Sequence, residues 1–206
     1  MPPDGTQFAN AQRNVFREVI YMKIKGLIVQ ARIEFVKDYF GEEAWNRVRE
    51  SMSEEDRKIL DGTIVAGIWY PFEFGERLDK AIVEVLGDGD EKVFEEIGVK
   101  SAKRSLLKVH SSFIREGEPQ AFMKKANMIY KFYYDTGYRE YEETGPTSGV
   151  ITTYDAETFS AADCLTVIGW YKEGLRMCGA RNIRAYEDEC RAKGGSCCRY
   201  RFKWDM

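Results

Sequence analysis

The sequence predicts an α+β domain in which helices pack on a four-stranded antiparallel sheet, and three observations predict it. Apolar residues recur at spacings of three and four through most of the first 137 residues. The period then changes: "YREYEE" and "GVITTYD" are short alternating or β-branched runs on either side of "TGPTSG", a hairpin signature. A long helical stretch follows, ended by Gly179, and after it "RNIRAYEDEC" and "CCRYRFKW" form two more strand-like runs joined by a glycine turn. Helices, hairpin, long helix, hairpin is the order of a sheet with helices laid on it.

Taken in order, residues 1–22 are polar, carry two early prolines and read as an N-terminal extension; residues 23–206 read as one domain. In "KGLIVQARIEFVKDYFG", Leu27, Ile28, Ala31, Phe35, Val36 and Tyr39 form one apolar helix face, stopped by Gly41, and a short helix follows in "EEAWNRVRESM". Ser53 with Asp56 three residues on reads as the cap of a further helix. "GTIVAGIWYP" is an apolar connector ended by Pro71. Phe74, Leu78, Ile82, Val85 and Leu86 mark a helix up to Gly87, "GDGD" a turn, and Glu91 to Ile114 another helix with a break expected near Gly98. Pro119 in a first turn and Gly137 at an end bracket one more. The long helix is expected from Glu157 to Cys178.

Composition sets the outer limits. The 206 residues are 44% hydrophobic, enough for a sizeable core, and 31 basic against 34 acidic residues leave a net charge of −3. That balance offers no footprint for nucleic acid and no polybasic tract for a membrane surface. The N-terminus lacks a signal-peptide pattern, and no run reaches the ~18 apolar residues of a membrane span. A cytoplasmic, reducing compartment is expected, in which clustered cysteines are metal ligands or buried residues rather than disulfides. Catalysis finds no support: one histidine, His110, stands beside Ser111 and Ser112 without an orienting partner, and no glycine loop cradles a phosphate. The chain is expected not to be an enzyme.

Three of the five cysteines lie in "EDECRAKGGSCCRYRF". From Cys178 back to Cys164 a helix rises about 21 Å, and a strand from Asn182 to Cys190 returns about 26 Å. Cys190 therefore comes back to the level of Cys164, and the hairpin brings Cys197 or Cys198 opposite it, with Cys178 left at the far end. Glu187 would join them only if the strand bulges, because strict alternation puts Glu187 and Cys190 on opposite faces. Such a set suits tetrahedral Zn²⁺; small cysteines buried in helix and sheet are the other reading.

From Gly174 to Trp204 the chain resembles the end of the 4-vinyl reductase (V-four-R) domain: helix, E-x-x-C, glycine turn, C-x-aromatic and final strand, with Glu187, Cys190, Gly194, Cys198 and Tyr200 in those places. Sensor domains of aromatic-responsive transcription activators are similar and carry a helix cysteine where Cys164 stands. The resemblance implies a structural zinc held by Cys164, Glu187, Cys190 and Cys198. "KGLIVQARIEFVKDYFGEEAWNRV" resembles the opening of haem nitric-oxide-binding (H-NOX) domains, which share a superfamily fold with vinyl reductase domains and TRAPP-type trafficking subunits. H-NOX domains use a proximal histidine and a Y-x-S-x-R motif. Here Tyr130 falls nearest the histidine position, and Tyr154 to Thr158 has neither the serine nor the arginine. Haem of that type is not expected.

In the sensor relatives a small molecule sits between helices and sheet, which implies a pocket here from His110, Phe113, Phe122, Tyr130, Tyr134, Trp170 and Tyr171. Each alone also reads as ordinary core. The expected function is a sensory domain for a small hydrophobic or aromatic molecule, acting through a separate signalling protein or a homodimer. The alternative is a dimeric interaction scaffold of the trafficking type without a ligand. Phe8, Val15, Phe16 and Ile20 of the extension would suit a swapped arm or dimer contact.

Overall fold

A computed structural model describes residues 22–86, 91–156 and 160–206. Residues 1–21, residues 87–90, where a turn is expected, and residues 157–159, where the long helix is expected to start, lie outside the described residues.

β1 (Lys23–Lys25) pairs antiparallel with β2 (Trp69–Pro71), Ile24 opposite Tyr70. The apolar connector thus ends in a strand, three residues long and too short to show alternation. Pro71, with no N–H to donate, takes its last place. Between them, α1 (Gly26–Ser51) bends at Gly41, whose φ of 85° is left-handed backbone that glycine adopts freely. α2 (Glu54–Asp61) opens on Ser53, whose hydroxyl accepts from the Asp56 N–H as its spacing predicts. α3 (Phe72–Leu86) buries Phe72, Phe74, Leu78 and Ile82.

α4 (Val93–Lys108) is shorter than expected and unbroken at Gly98. It closes on Ser105, whose carbonyl accepts from both Val109 and His110, and a 3₁₀ turn over Ser111–Phe113 follows. The helix expected from Pro119 is two, α5 (Pro119–Met123) and α6 (Ala126–Tyr133). Tyr134 leaves α6 in extended backbone and bridges to Ile24, which joins the N-terminal ribbon to the C-terminal half.

β3 (Tyr138–Gly145), β4 (Ser148–Tyr154), β5 (Arg181–Glu189) and β6 (Cys198–Asp205) form one antiparallel sheet in the order β3-β4-β6-β5. Along β6, Cys198, Tyr200, Phe202 and Trp204 alternate inward. α7 (Ala161–Met177), capped by Ser160, packs against α4 and β5. No helix among the described residues is long and apolar enough to cross a membrane.

Candidate metal centre and interior cavity

Cys164 lies in the first turn of α7, Cys190 directly after β5 and Cys198 at the start of β6. All three are buried. The ladder between β5 and β6 shifts register between Glu187 and Glu189. That irregularity removes the alternation that would have turned Glu187 away from Cys190. The ligand atoms of Cys164, Glu187, Cys190 and Cys198 therefore lie within 4.8 Å of one another. Cys178 sits fully buried at the other end of α7, and Cys197 is buried outside the cluster, with the Arg199 guanidinium at its sulfur.

The spacing can be compared with coordination chemistry. A zinc tetrahedron with ~2.3 Å bonds to sulfur has S–S edges of about 3.8 Å. Cys164 Sγ stands 3.9 Å from Cys190 Sγ and 3.6 Å from Cys198 Sγ. Two donors address the sulfurs from outside: the Tyr200 hydroxyl to Cys164 Sγ at 3.2 Å and the Arg191 N–H to Cys198 Sγ at 3.5 Å. Glu187 Oε1 is buried with no hydrogen-bond partner, an orphan acceptor that a cation would satisfy. Without a cation the four groups cannot all be charged. Hydrogen bonds to Cys190 and Cys198 hold the proton on Cys164 and, with burial, push that thiol far up. The same contact from Cys164 pulls Cys190 down to about 5 and also lowers Cys198. Burial raises the Glu187 carboxyl to about 7.

A second feature lies between α1, α4, α6, α7 and β3. An interior cavity of about 50 Å³ is lined by Tyr133, Tyr134, Trp170 and Tyr171, by Ile28, Ile129 and Val167, and by two arginines, Arg32 and Arg139. Of the aromatic residues singled out from sequence, Tyr134, Trp170 and Tyr171 face it. Tyr130 stacks on Tyr134 at 4.8 Å and Phe122 on Trp170 at 5.9 Å, each one layer behind. His110 stacks on Phe113 at 5.2 Å and reaches Trp170 only at 6.5 Å, edge to face. Burial lowers its pKa, and its Nε2 is buried without a partner.

The arginines and Tyr133 are what sequence reasoning misses. Arg32 stands among Ile28, Val29, Phe35 and Val36 on the buried face of α1. Arg139 shares its strand parity with Tyr141. Both placements are signals, easily passed over because charged residues are read as solvated.

No family model and no curated protein matches this sequence. Solved structures do. The Fe(II) unliganded H-NOX protein from K. algicida superposes with a TM-score of 0.69 at 11% identity, over 89% of this chain and 97% of that one. The S. oneidensis H-NOX protein in the Fe(II)NO state gives 0.66 at 15% identity, over 89% and 100%. An H-NOX protein described in connection with haem distortion gives 0.65 at 15% identity, over 89% and 96%. At these identities the likeness establishes the fold.

It also corrects one expectation. The missing histidine and Y-x-S-x-R motif set haem aside on sequence grounds, yet the chain takes the fold of proteins described by their haem and its iron. Loss of a motif is not loss of the architecture that holds the group, so the motif carries no exclusion. In the conformation described, the residues at the interior cavity leave about 50 Å³, against roughly 300–1,000 Å³ for small-molecule sites. The side chains filling that space would have to move to admit a porphyrin.

Proposed function

We propose that this chain is a non-catalytic sensory domain that binds a small hydrophobic or aromatic molecule between its helices and its sheet. A structural zinc, held by Cys164, Glu187, Cys190 and Cys198, pins the C-terminal hairpin to the first turn of α7. The single observation that carries the metal part is the convergence of those four ligand atoms within 4.8 Å, with one carboxylate oxygen left unpaired. Thiolates with a carboxylate in a tetrahedron suit Zn²⁺, whereas Mg²⁺ and Ca²⁺ take oxygen ligands. The vinyl-reductase-like tail and the sensor-domain resemblance point the same way.

The ligand part is supported by the fold and by the ring cluster around Trp170. In this reading occupancy of the cavity biases the packing of α1, α6 and α7, and a homodimer contact or a separate protein reads the change. A cytoplasmic, reducing setting keeps the thiols available to the metal. The other reading, an interaction scaffold without a ligand, is favoured by one observation, the small volume of the cavity.

Two measurements test this. Elemental analysis of the untagged full chain is expected to return about one zinc per chain. The double variant Cys190→Ser, Cys198→Ser should return none and lose about 10 °C or more of Tm, because metal affinity is folding free energy. Cys197→Ser, equally buried but outside the cluster, should keep its zinc. Metal-free protein whose Tm the double variant leaves unchanged would sink the metal centre. For the ligand part, thermal shifts with phenol, indole, benzoate and hemin should include at least one stabiliser. A panel without any favours the scaffold.

A further inference from the structure

Two buried guanidinium groups face the interior cavity, and their surroundings differ. Arg32 donates from Nε and Nη2 to the Asp79 carboxylate at 2.9 and 3.3 Å and from Nη2 to Asp163 at 3.2 Å. Asp163 in turn accepts the Tyr134 hydroxyl at 3.0 Å. That cation is compensated twice. Arg139, equally buried, donates from Nε to Thr153 Oγ1 at 2.9 Å and lies over the rings of Tyr130 and Tyr171, 4.8 and 5.7 Å from their centroids. Among the described residues no carboxylate is paired with it.

A guanidinium cannot shed its proton to escape burial. An uncompensated one is held at a cost in stability, which a ligand of opposite charge would offset. Ring faces and the hydroxyls of Thr153 and Tyr171 still leave some of its five N–H donors unused. A second polar group at the same cavity is weakly served: the buried Tyr133 hydroxyl makes no well-formed hydrogen bond and has only the Ser105 side chain beside it. A planar cation and a phenol, both short of partners, face a space walled by Trp170, Tyr134 and Tyr171.

We propose that the cavity receives the carboxylate of a small aromatic acid, with the Arg139 guanidinium as its ion-pair partner and the Tyr133 hydroxyl as a hydrogen-bond donor. This rests on the sensory reading above and names its ligand class. Carboxylate and guanidinium match in two parallel N–H···O bonds, the geometry that the unused donors of Arg139 offer. The apolar ring of the ligand then lies among the aromatic side chains. The free volume admits the head group as it stands, and the ring enters by side-chain adjustment around Trp170. Neutral aromatics of the same size leave Arg139 uncompensated and bind less well.

The test uses the zinc-loaded full chain with benzoate and its neutral counterpart, benzyl alcohol, read by thermal shift and by Trp fluorescence. Benzoate at about tenfold excess over its dissociation constant is expected to raise Tm by roughly 3–6 °C, and benzyl alcohol at the same concentration by less than a third of that. Arg139→Met should keep or raise the Tm of the ligand-free protein and lose the benzoate response at least tenfold. Arg139→Lys should recover part of it, and Tyr133→Phe should weaken it a few-fold.

A ligand-free Arg139→Met protein that fails to fold, or melts well below the parent, assigns Arg139 to structure and overturns the proposal. So does equal stabilisation by benzyl alcohol, or a benzoate response unmoved in Arg139→Met; in those cases the sensory reading survives with a neutral ligand. Silence from every aromatic tried overturns both.

Discussion

Asp56 shows what a single buried charge contributes when its partners are close. It is 1% exposed, accepts from the Ser53 hydroxyl at 2.9 Å and takes a two-pronged pair from Arg77 at 2.7 and 2.6 Å. The Arg77 hydrogen bond, ahead of the Ser53 one, holds its carboxyl below the usual carboxylate range. Because the folded value is depressed, the contribution is fully present above the ordinary range and is lost as pH falls through the folded value. Arg77 is half exposed, so solvent screens the pair. Asp56→Asn should therefore cost about 1–2 kcal/mol at pH 7. In urea titrations the gap to the parent should begin to shrink once pH falls below the ordinary carboxylate range and close only below the depressed folded value; a gap that ignores pH would place the effect in cap geometry instead. The spacing of Ser53 and Asp56 reads as a cap from the residues alone. Arg77 does not, because partners that meet across 21 positions leave no local pattern.

At the scale of elements, the crossing of α4 on α7 explains a glycine that periodicity reads as a break. A Cβ on Gly98 would stand 2.1 Å from the Thr166 carbonyl oxygen, and one on Gly169 would stand 1.9 Å from that of Glu95. The two helices touch backbone to backbone at paired glycines, and both run through without interruption. Gly98→Ala gains about 1 kcal/mol in helix propensity and must then separate the helices, at about 2–4 kcal/mol. A net fall in Tm of several degrees is expected, and a rise would show that the helices do not meet there. Elements with their own period, such as the helices and both hairpins, are legible in the sequence for the same reason that packing keeps them. β1 and β2 are not, since three residues carry no period. The convergence of Cys164, Cys190 and one of the adjacent pair Cys197 and Cys198 follows from helix and strand rise, and the tail resemblance is what singles out Cys198. Glu187 needs the register shift after it, which no count of residues supplies.

Over the whole molecule, Arg32 is a buried charge that ties the N-terminal helices to the C-terminal half. It leaves α1 to meet Asp79 on α3 and Asp163 on α7, and Asp163 also anchors Tyr134 beside the strand bridge to Ile24. Burial works against both members of the Arg32–Asp79 pair. It raises the Asp79 carboxyl, while at Arg32 burial, the largest effect, is outweighed by Asp79, Asp163 and Tyr134 together, which keep the guanidinium firmly protonated. Breaking such a pair from one side leaves a buried charge half answered, which costs about 3–5 kcal/mol, whereas replacing both sides with apolar groups is far milder. Asp79→Asn is therefore expected to lower stability by about that amount in urea denaturation. The double variant Arg32→Met, Asp79→Leu should recover more than half of the loss, short of all because Asp163 then keeps only Tyr134. A cost below about 1 kcal/mol for Asp79→Asn would mean that Asp163 alone compensates Arg32. In that case the charge that crosses between the two halves is the Arg32–Asp163 pair, and Asp79 within the N-terminal helices adds little to it.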